Sequence, residues 1–154
     1  MGIFRSCAFE GCYERVNGFR RALDESGLPW REVAYYSRRP GETPLAAVTS
    51  LLTLHRDLQV LWASNESGTQ AAVEAVRTLG LAGRVRVLGT DLSPALEAML
   101  GDRDGVLLAV TAQRPEEMGY RAASAALAAL RGEDVRGWKD GLVEHRLYAR
   151  KGRP

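Results

Sequence analysis

Short β-rich apolar runs alternate along the chain with longer segments of helical period, the pattern of an α/β fold with a mostly parallel sheet. The first strand is expected over Gly2–Ala8 and the first helix over about Tyr13–Ser26, with Val16, Phe19 and Leu23 at helical spacing and Gly27 as its stop. A second strand over Glu32–Tyr36 gives way to the polar break 37–41. Thr43–Pro44 then opens a helix with Leu45, Val48, Leu51 and Leu52 on one face. Leu58–Ala63 is a continuous apolar strand, followed by a helix carrying Ala72, Ala75, Val76 and Leu79, which Ser67 and Gln70 would open as a capping box and Gly80 would end. Arg84–Leu88 predicts a fourth strand, and Ser93–Pro94 a short helix bearing Leu96, Met99 and Leu100. Val106–Thr111 predicts a fifth strand, and Pro115–Leu130 a long helix with Met118, Ala122, Ala125, Ala126 and Ala129 along one stripe. Leu142–Arg150 is expected as a terminal strand.

In such a sheet, ligands bind where strand carboxyl ends open into loops. That singles out Phe9 to Tyr13 after the first strand, Arg38–Arg39 after the second, Ser64–Asn65–Glu66 after the third, Asp91 after the fourth and Gln113 after the fifth. Asn, Asp and Gln side chains together offer donors and acceptors suited to a polyhydroxyl ligand, and none is a good nucleophile in this setting. Taken singly, 64–66 and 89–91 read as turn and cap residues; their joint placement at successive strand ends favours a site.

The 154 residues make one ordinary domain. No apolar run reaches the ~20 residues of a membrane helix, and nothing near Met1 reads as a signal segment, so a soluble chain without membrane contact is expected. With Lys+Arg 21 against Asp+Glu 19, the net charge of +2 gives no footprint for a phosphate backbone, and the basic stretch from Arg146 to Arg153 reads as a solvated end. Cys7 and Cys12 are the only cysteines, and His55 and His145 lie far from both in sequence. Zinc, iron–sulfur and thioredoxin chemistry are therefore set aside, the two cysteines are read as free thiols, and no cofactor is implied. No phosphate-binding glycine motif is present, and the acidic pairs Glu116–Glu117 and Asp102 with Asp104 read as helix-start and turn residues.

The ordered strings R-x-x-G-F-x-x-A-L from Arg15 to Leu23, 25–29, 51–52, 61–66, 87–94 and 112–119 together resemble the type-one periplasmic-binding-protein-like sugar-binding fold. Sugar receptors of transporters and the effector domains of the lactose-repressor family share that fold. The resemblance implies a three-layer α/β/α arrangement with a mostly parallel sheet, forming the C-terminal lobe of a two-lobed domain. It places Asn65, Asp91 and Gln113 on sugar hydroxyls. Two positions depart from the family pattern. Tyr13 stands where the family commonly has an arginine, and Arg39 lies near where it has an aromatic, an exchange that points to a rearranged cleft or a more acidic ligand.

The helix over 115–131 belongs to the other lobe in the family. Its uncovered stripe therefore predicts a homo-oligomer, a dimer or larger, with the alternative that the helix folds back onto its own sheet. The favoured reading is the effector-sensing, non-catalytic part of a lactose-repressor-family transcription regulator, cytoplasmic, meeting DNA only through a head domain outside this chain. The alternative is an extracytoplasmic sugar receptor of an ABC transporter, periplasmic or extracellular, with a signal peptide before the first lobe. A flavodoxin-like enzyme is the remote third.

Overall fold

The computed structural model describes residues 1–137 and 143–150. In chain order the elements are β1 (Gly2–Arg5), α1 (Glu10–Glu25), β2 (Ala34–Ser37), α2 (Pro44–Leu54), β3 (Val60–Ala63), α3 (Glu66–Thr78), β4 (Arg86–Thr90), α4 (Pro94–Gly101), β5 (Leu107–Ala112), α5 (Pro115–Leu130) and β6 (Arg146–Ala149). They form a three-layer α/β/α sandwich around one sheet of order β2-β1-β3-β4-β5-β6. β1 to β5 run parallel, and β6 pairs antiparallel with β5 through Val110 opposite Tyr148. The strand order reverses between β1 and β3, which creates a crevice at their carboxyl ends.

The two faces of the sheet are covered unequally. On one face α2, α3 and α4 enclose the main core, in which Val48, Leu51, Val73, Val76 and Leu96 meet Phe4, Leu61, Val87 and Leu107. On the other, α1 seals only Ile3, Val16 and Trp62, with Phe19 and Leu88 partly buried beside them. Phe19 stacks on Trp62 at 4.6 Å between ring centroids. Towards β5 and β6 this face is open. Leu147 is 67% exposed, and its partner Thr111 lies opposite the core-facing pair Val110 and Tyr148 by strand alternation. Helix α5 is nearly bare as well, with Ala128 its one buried residue and Met118, Tyr120, Leu127 and Leu130 exposed. Among the described residues, no helix is long and apolar enough to cross a membrane.

Every expected element is present, and α5 runs over the residues the stripe predicts. Other boundaries move. β1 stops at Arg5, and α1 begins at Glu10, so most of the segment 9–13 expected as a loop is helical. β2 spans Ala34–Ser37 and β4 spans Arg86–Thr90, each later than its hydrophobic run. β6 is shorter than expected, and Leu142 of the expected strand lies outside the described residues. The capping box at Ser67 and Gln70 does not form. Asn65 caps α3 instead, its Oδ1 accepting from the Gly68 amide at 3.0 Å, while Gln70 donates to Glu66. Thr43 and Ser93 cap α2 and α4 as their sequence implies, each followed by proline. Gly27 and Gly80 end α1 and α3 with φ of +67° and +65°, a conformation that other residues adopt at a cost.

Candidate functional site

β3, β4 and β5 are consecutive in the sheet, and each releases one of the polar side chains singled out above: Asn65, Asp91 and Gln113. Neighbouring strands lie about 4.8 Å apart, so the three residues line a rim spanning roughly 10 Å. Asp91 leaves β4 with φ +66°, the one non-glycine residue in the left-handed region among the described residues, and its amide donates to the Thr111 carbonyl at 2.7 Å. Strain of this kind persists where the surroundings hold a side chain in place.

Arg15, in the early turns of α1, supplies that hold. Its guanidinium donates to both Asp91 carboxylate oxygens, at 3.0 and 3.1 Å, and from Nη1 to the Ser64 carbonyl at 2.9 Å. The pair is part-exposed, with side-chain exposures of 22% and 31%, so both groups remain within reach of a ligand. A bidentate arginine occupies one side of a carboxylate and leaves lone pairs on both oxygens for hydroxyl donors. Asn65 stands beside it. Its Oδ1 already accepts from Gly68 and from the Ser6 hydroxyl, leaving its amide N–H groups as the part free to donate. Gln113 is exposed and makes no side-chain hydrogen bond among the described residues.

Below the rim, a groove of about 560 Å³ runs along the open sheet face, floored by Phe19, Ala22, Trp62 and Ala112 and edged by Arg15, Asp91, Gln113 and His145. Apolar floors with a few convergent polar groups, at about 300–1,000 Å³, are characteristic of small-molecule sites.

The other two candidates lie on the β1–β2 side. Tyr13 lays its ring over the Arg5 guanidinium at 3.9 Å. Arg5 is buried and donates to the Tyr35 hydroxyl at 2.9 Å, to the Cys7 carbonyl at 2.5 Å and to Ser37. Arg39 is exposed, 6.0 Å over the Tyr36 ring, and its amide donates to Glu42. Hydrogen bonds from the Arg39 amide and the Tyr36 hydroxyl hold the Glu42 carboxyl below its ordinary range, and the Tyr36 hydroxyl is raised chiefly by its bond to Glu42. The structure thus joins Arg15 to Asp91, and sets Tyr13 against Arg5 and Arg39 beside Tyr36 and Glu42. Sequence reading passes over Arg15 and Arg5 as site elements. The spacing R-x-x-G-F sets Arg15 on the turn above the strand ends, but its partner lies 76 residues away.

Cys7 and Cys12, read from sequence as free thiols, are joined in a disulfide with a Cα–Cα distance of 6.1 Å. The sequence leaves them unpaired because two cysteines five positions apart carry no framework signature; the turn from β1 into α1 brings them together. No group of three or more His, Cys, Asp or Glu residues able to hold a metal occurs among the described residues.

Residues 11–134 match the family model described as a periplasmic binding protein domain. The chain is 34% identical over 135 residues to the D-ribose/D-allose-binding protein of Pseudomonas aeruginosa, covering 85% of this chain and 40% of that protein. It is 32% identical over 124 residues to the ribose import binding protein RbsB of Escherichia coli, covering 79% of this chain and 40% of the relative. Among solved structures, the XylFII molecule superposes with a TM-score of 0.82 at 20% identity, over 97% of this chain and 53% of that one. An ABC transporter periplasmic solute binding protein from Actinobacillus succinogenes with bound D-allose superposes with a TM-score of 0.78 at 23% identity, over 97% and 52%. The chain therefore spans about 40% of the length of these curated relatives and about half that of the solved structures.

These findings back the transporter-receptor alternative rather than the regulator. They also correct the expectation of a cytoplasmic chain, because the matched family model is a periplasmic binding protein domain and RbsB is an import binding protein, which favours a periplasmic location. The expectation rested in part on free cysteines, and the disulfide removes that support, since such bonds persist in oxidising compartments.

Proposed function

The chain belongs to the periplasmic binding protein domain family, and from that membership we propose that it is the C-terminal lobe of a sugar receptor serving an ABC-type importer. The lobe binds a monosaccharide of the aldose class at the carboxyl rim of β3, β4 and β5. The observation that carries this reading is the Arg15–Asp91 pair, a part-exposed bidentate couple flanked by Asn65 and Gln113. Donors and acceptors alternate along that rim, as a polyol with a donor and an acceptor on every oxygen requires.

Asp91 accepts from two ligand hydroxyls, Arg15 and the Asn65 amide donate to ring or hydroxyl oxygens, and Gln113 does either. No bond is made or broken. Binding works by differential contact: a sugar held between this rim and a second lobe favours the closed arrangement, and the free energy of those bridging contacts is all that is available to signal occupancy to a membrane partner. In this reading α5 packs on the second lobe, which accounts for its bare apolar side.

The names of the relatives supply the first probes. Calorimetric titration of the chain with D-ribose, D-allose, D-glucuronate and D-ribose 5-phosphate, repeated with Asp91→Gly, tests the reading. A neutral aldose should bind saturably and weakly, because half of the converging contacts are absent, and the variant should lose it. Binding of the two anions alone would replace a neutral sugar by an acidic one. Failure of all four probes would overturn the sugar reading.

A further inference from the structure

We propose that the Cys7–Cys12 disulfide positions the sugar-binding rim and makes its affinity depend on redox state. The proposal rests on the sugar-receptor reading for its ligand, and on hydrogen bonds of this chain for its mechanism. The bond closes the turn between β1 and α1, at the crevice where the strand order reverses. Both ends of that turn are wired to the rim.

On the β1 side, the Ser6 amide donates to the Ser64 hydroxyl at 3.3 Å, and the Ser6 hydroxyl donates to Asn65 Oδ1. On the α1 side, the Ser64 hydroxyl donates to Cys12 Sγ at 3.6 Å, and Arg15, one turn further along, donates to the Ser64 carbonyl. Ser64 is fully buried and touches both arms. The disulfide thus closes a ring through Ser6, Ser64 and Cys12, from which Asn65 and Arg15 project towards the ligand. Arg5 ties the same turn to β2 by donating to the Cys7 carbonyl and to Ser37.

The bond is also placed to be opened selectively. Cys12 is fully buried, whereas Cys7 is half-buried, so an incoming thiolate reaches the Cys7 sulfur and Cys12 leaves. The leaving sulfur sits in the first turn of α1, near its N-terminal amides, and accepts the Ser64 hydroxyl, two features that stabilise a departing thiolate. With a dithiol as reductant, the first thiolate forms a mixed disulfide with Cys7, and the second displaces it. Two electrons and two protons pass to the protein, which ends with thiols at Cys7 and Cys12, while the reductant ends as its cyclic disulfide. Freed of the link, the turn loses the closure that sets Ser64, and with it the mutual placement of Asn65 and Arg15.

The test compares the oxidised chain, the chain reduced with dithiothreitol, and Cys7→Ser, each titrated with D-ribose and D-allose and each followed by backbone amide exchange. Reduction should weaken the bound sugar by about tenfold, within the usual range for coupled events. Cys7→Ser should match the reduced chain in either buffer. By reciprocity, saturating sugar should make the disulfide harder to reduce by the same factor, about 30 mV for a two-electron couple. Amides of 6–15 and 64–69 should exchange faster on reduction, while those of β4 and β5 keep their protection. Equal affinity in the oxidised and reduced chain would overturn the proposal, as would titration of two free thiols in the air-oxidised protein. If neither sugar binds, the sugar reading fails and amide exchange alone decides the brace: unchanged exchange at 64–69 on reduction overturns it.

Discussion

Asp91 combines two features rarely found in one side chain, a left-handed backbone and a bidentate arginine partner. Glycine is at ease at φ +66°, so Asp91→Gly relieves the backbone while removing the carboxylate. The expected outcome is a variant that melts within a few degrees of the parent by circular dichroism yet loses sugar affinity by about 10- to 100-fold, the size of a lost charge-assisted hydrogen bond of about 1.5–3 kcal/mol. Arg15→Lys should weaken binding in the same assay by less, because an ammonium keeps the charge without the two-pronged fit. The sequence made the positions of Asn65, Asp91 and Gln113 at successive strand ends legible, because each is a polar residue just after an apolar run. It did not make Arg15 legible as their companion, since a pairing across 76 residues leaves no local trace. Tyr13, in α1, and Arg39, after β2, have other partners: the first lies over Arg5 and the second near Tyr36.

At the scale of elements, α3 is seated by close backbone approach. A Cβ on Gly89 of β4 would lie 2.2 Å from Cγ2 of Thr69, which is fully buried and bonds the Asn65 carbonyl and the Thr90 amide. Gly89→Ala should therefore push α3 off the sheet and lower stability by about 1–3 kcal/mol in denaturant titration, with a parallel loss of ligand affinity through Asn65.

The turn between α4 and β5 is held otherwise. Arg77 of α3 donates to Asp104 at 2.7 Å and to Asp102 at 2.5 Å, and its bond to Asp104, with that of the Val106 amide, keeps the Asp104 carboxyl below its ordinary value of 3.8. A lowered carboxyl binds its proton less readily when folded than when unfolded. Its stabilisation is present above about pH 4 and lost as the pH falls below that value. The melting temperature should hold from pH 7 to 5 and decline below 4, and Asp104→Asn should flatten part of that decline.

Hydrophobic period and cap chemistry made the order of elements legible, because α1 to α4 bury their apolar stripes and β1 to β5 carry buried apolar residues. Boundaries were less so. Asn65 outcompetes Ser67 as the cap of α3 since its side chain also accepts from Ser6, just after β1, a contact that no local window contains.

For the whole molecule, the two open surfaces dominate. The sheet face beyond α1 and the bare side of α5 both expose apolar side chains, among them Leu108, Leu147, Leu127 and Leu130. Burial is worth roughly 25 cal/mol per Å² of apolar area, so both surfaces gain from being covered: by a second lobe where one is present, and by another copy where this chain stands alone. Sedimentation of the chain at micromolar concentration should give a dimer or larger species, and Leu127→Glu with Leu130→Glu should shift it towards monomer. A clean monomer for the parent chain would contradict this. The bare side of α5 was legible only through the family resemblance, which assigns the helix over 115–131 to the other lobe. The groove beside Trp62 was not, because it arises from strand order.

The central claim is that a sugar seats on the rim formed by Arg15, Asn65, Asp91 and Gln113. Amide and side-chain NMR shifts of the oxidised chain, recorded while D-allose and D-ribose are titrated in, test it most directly. The predicted result is saturable shifts confined to 64–66, 90–92, 112–114 and the Arg15 guanidinium, fitted by one dissociation constant. Shifts spread elsewhere, or a spectrum unmoved by either sugar, would contradict it.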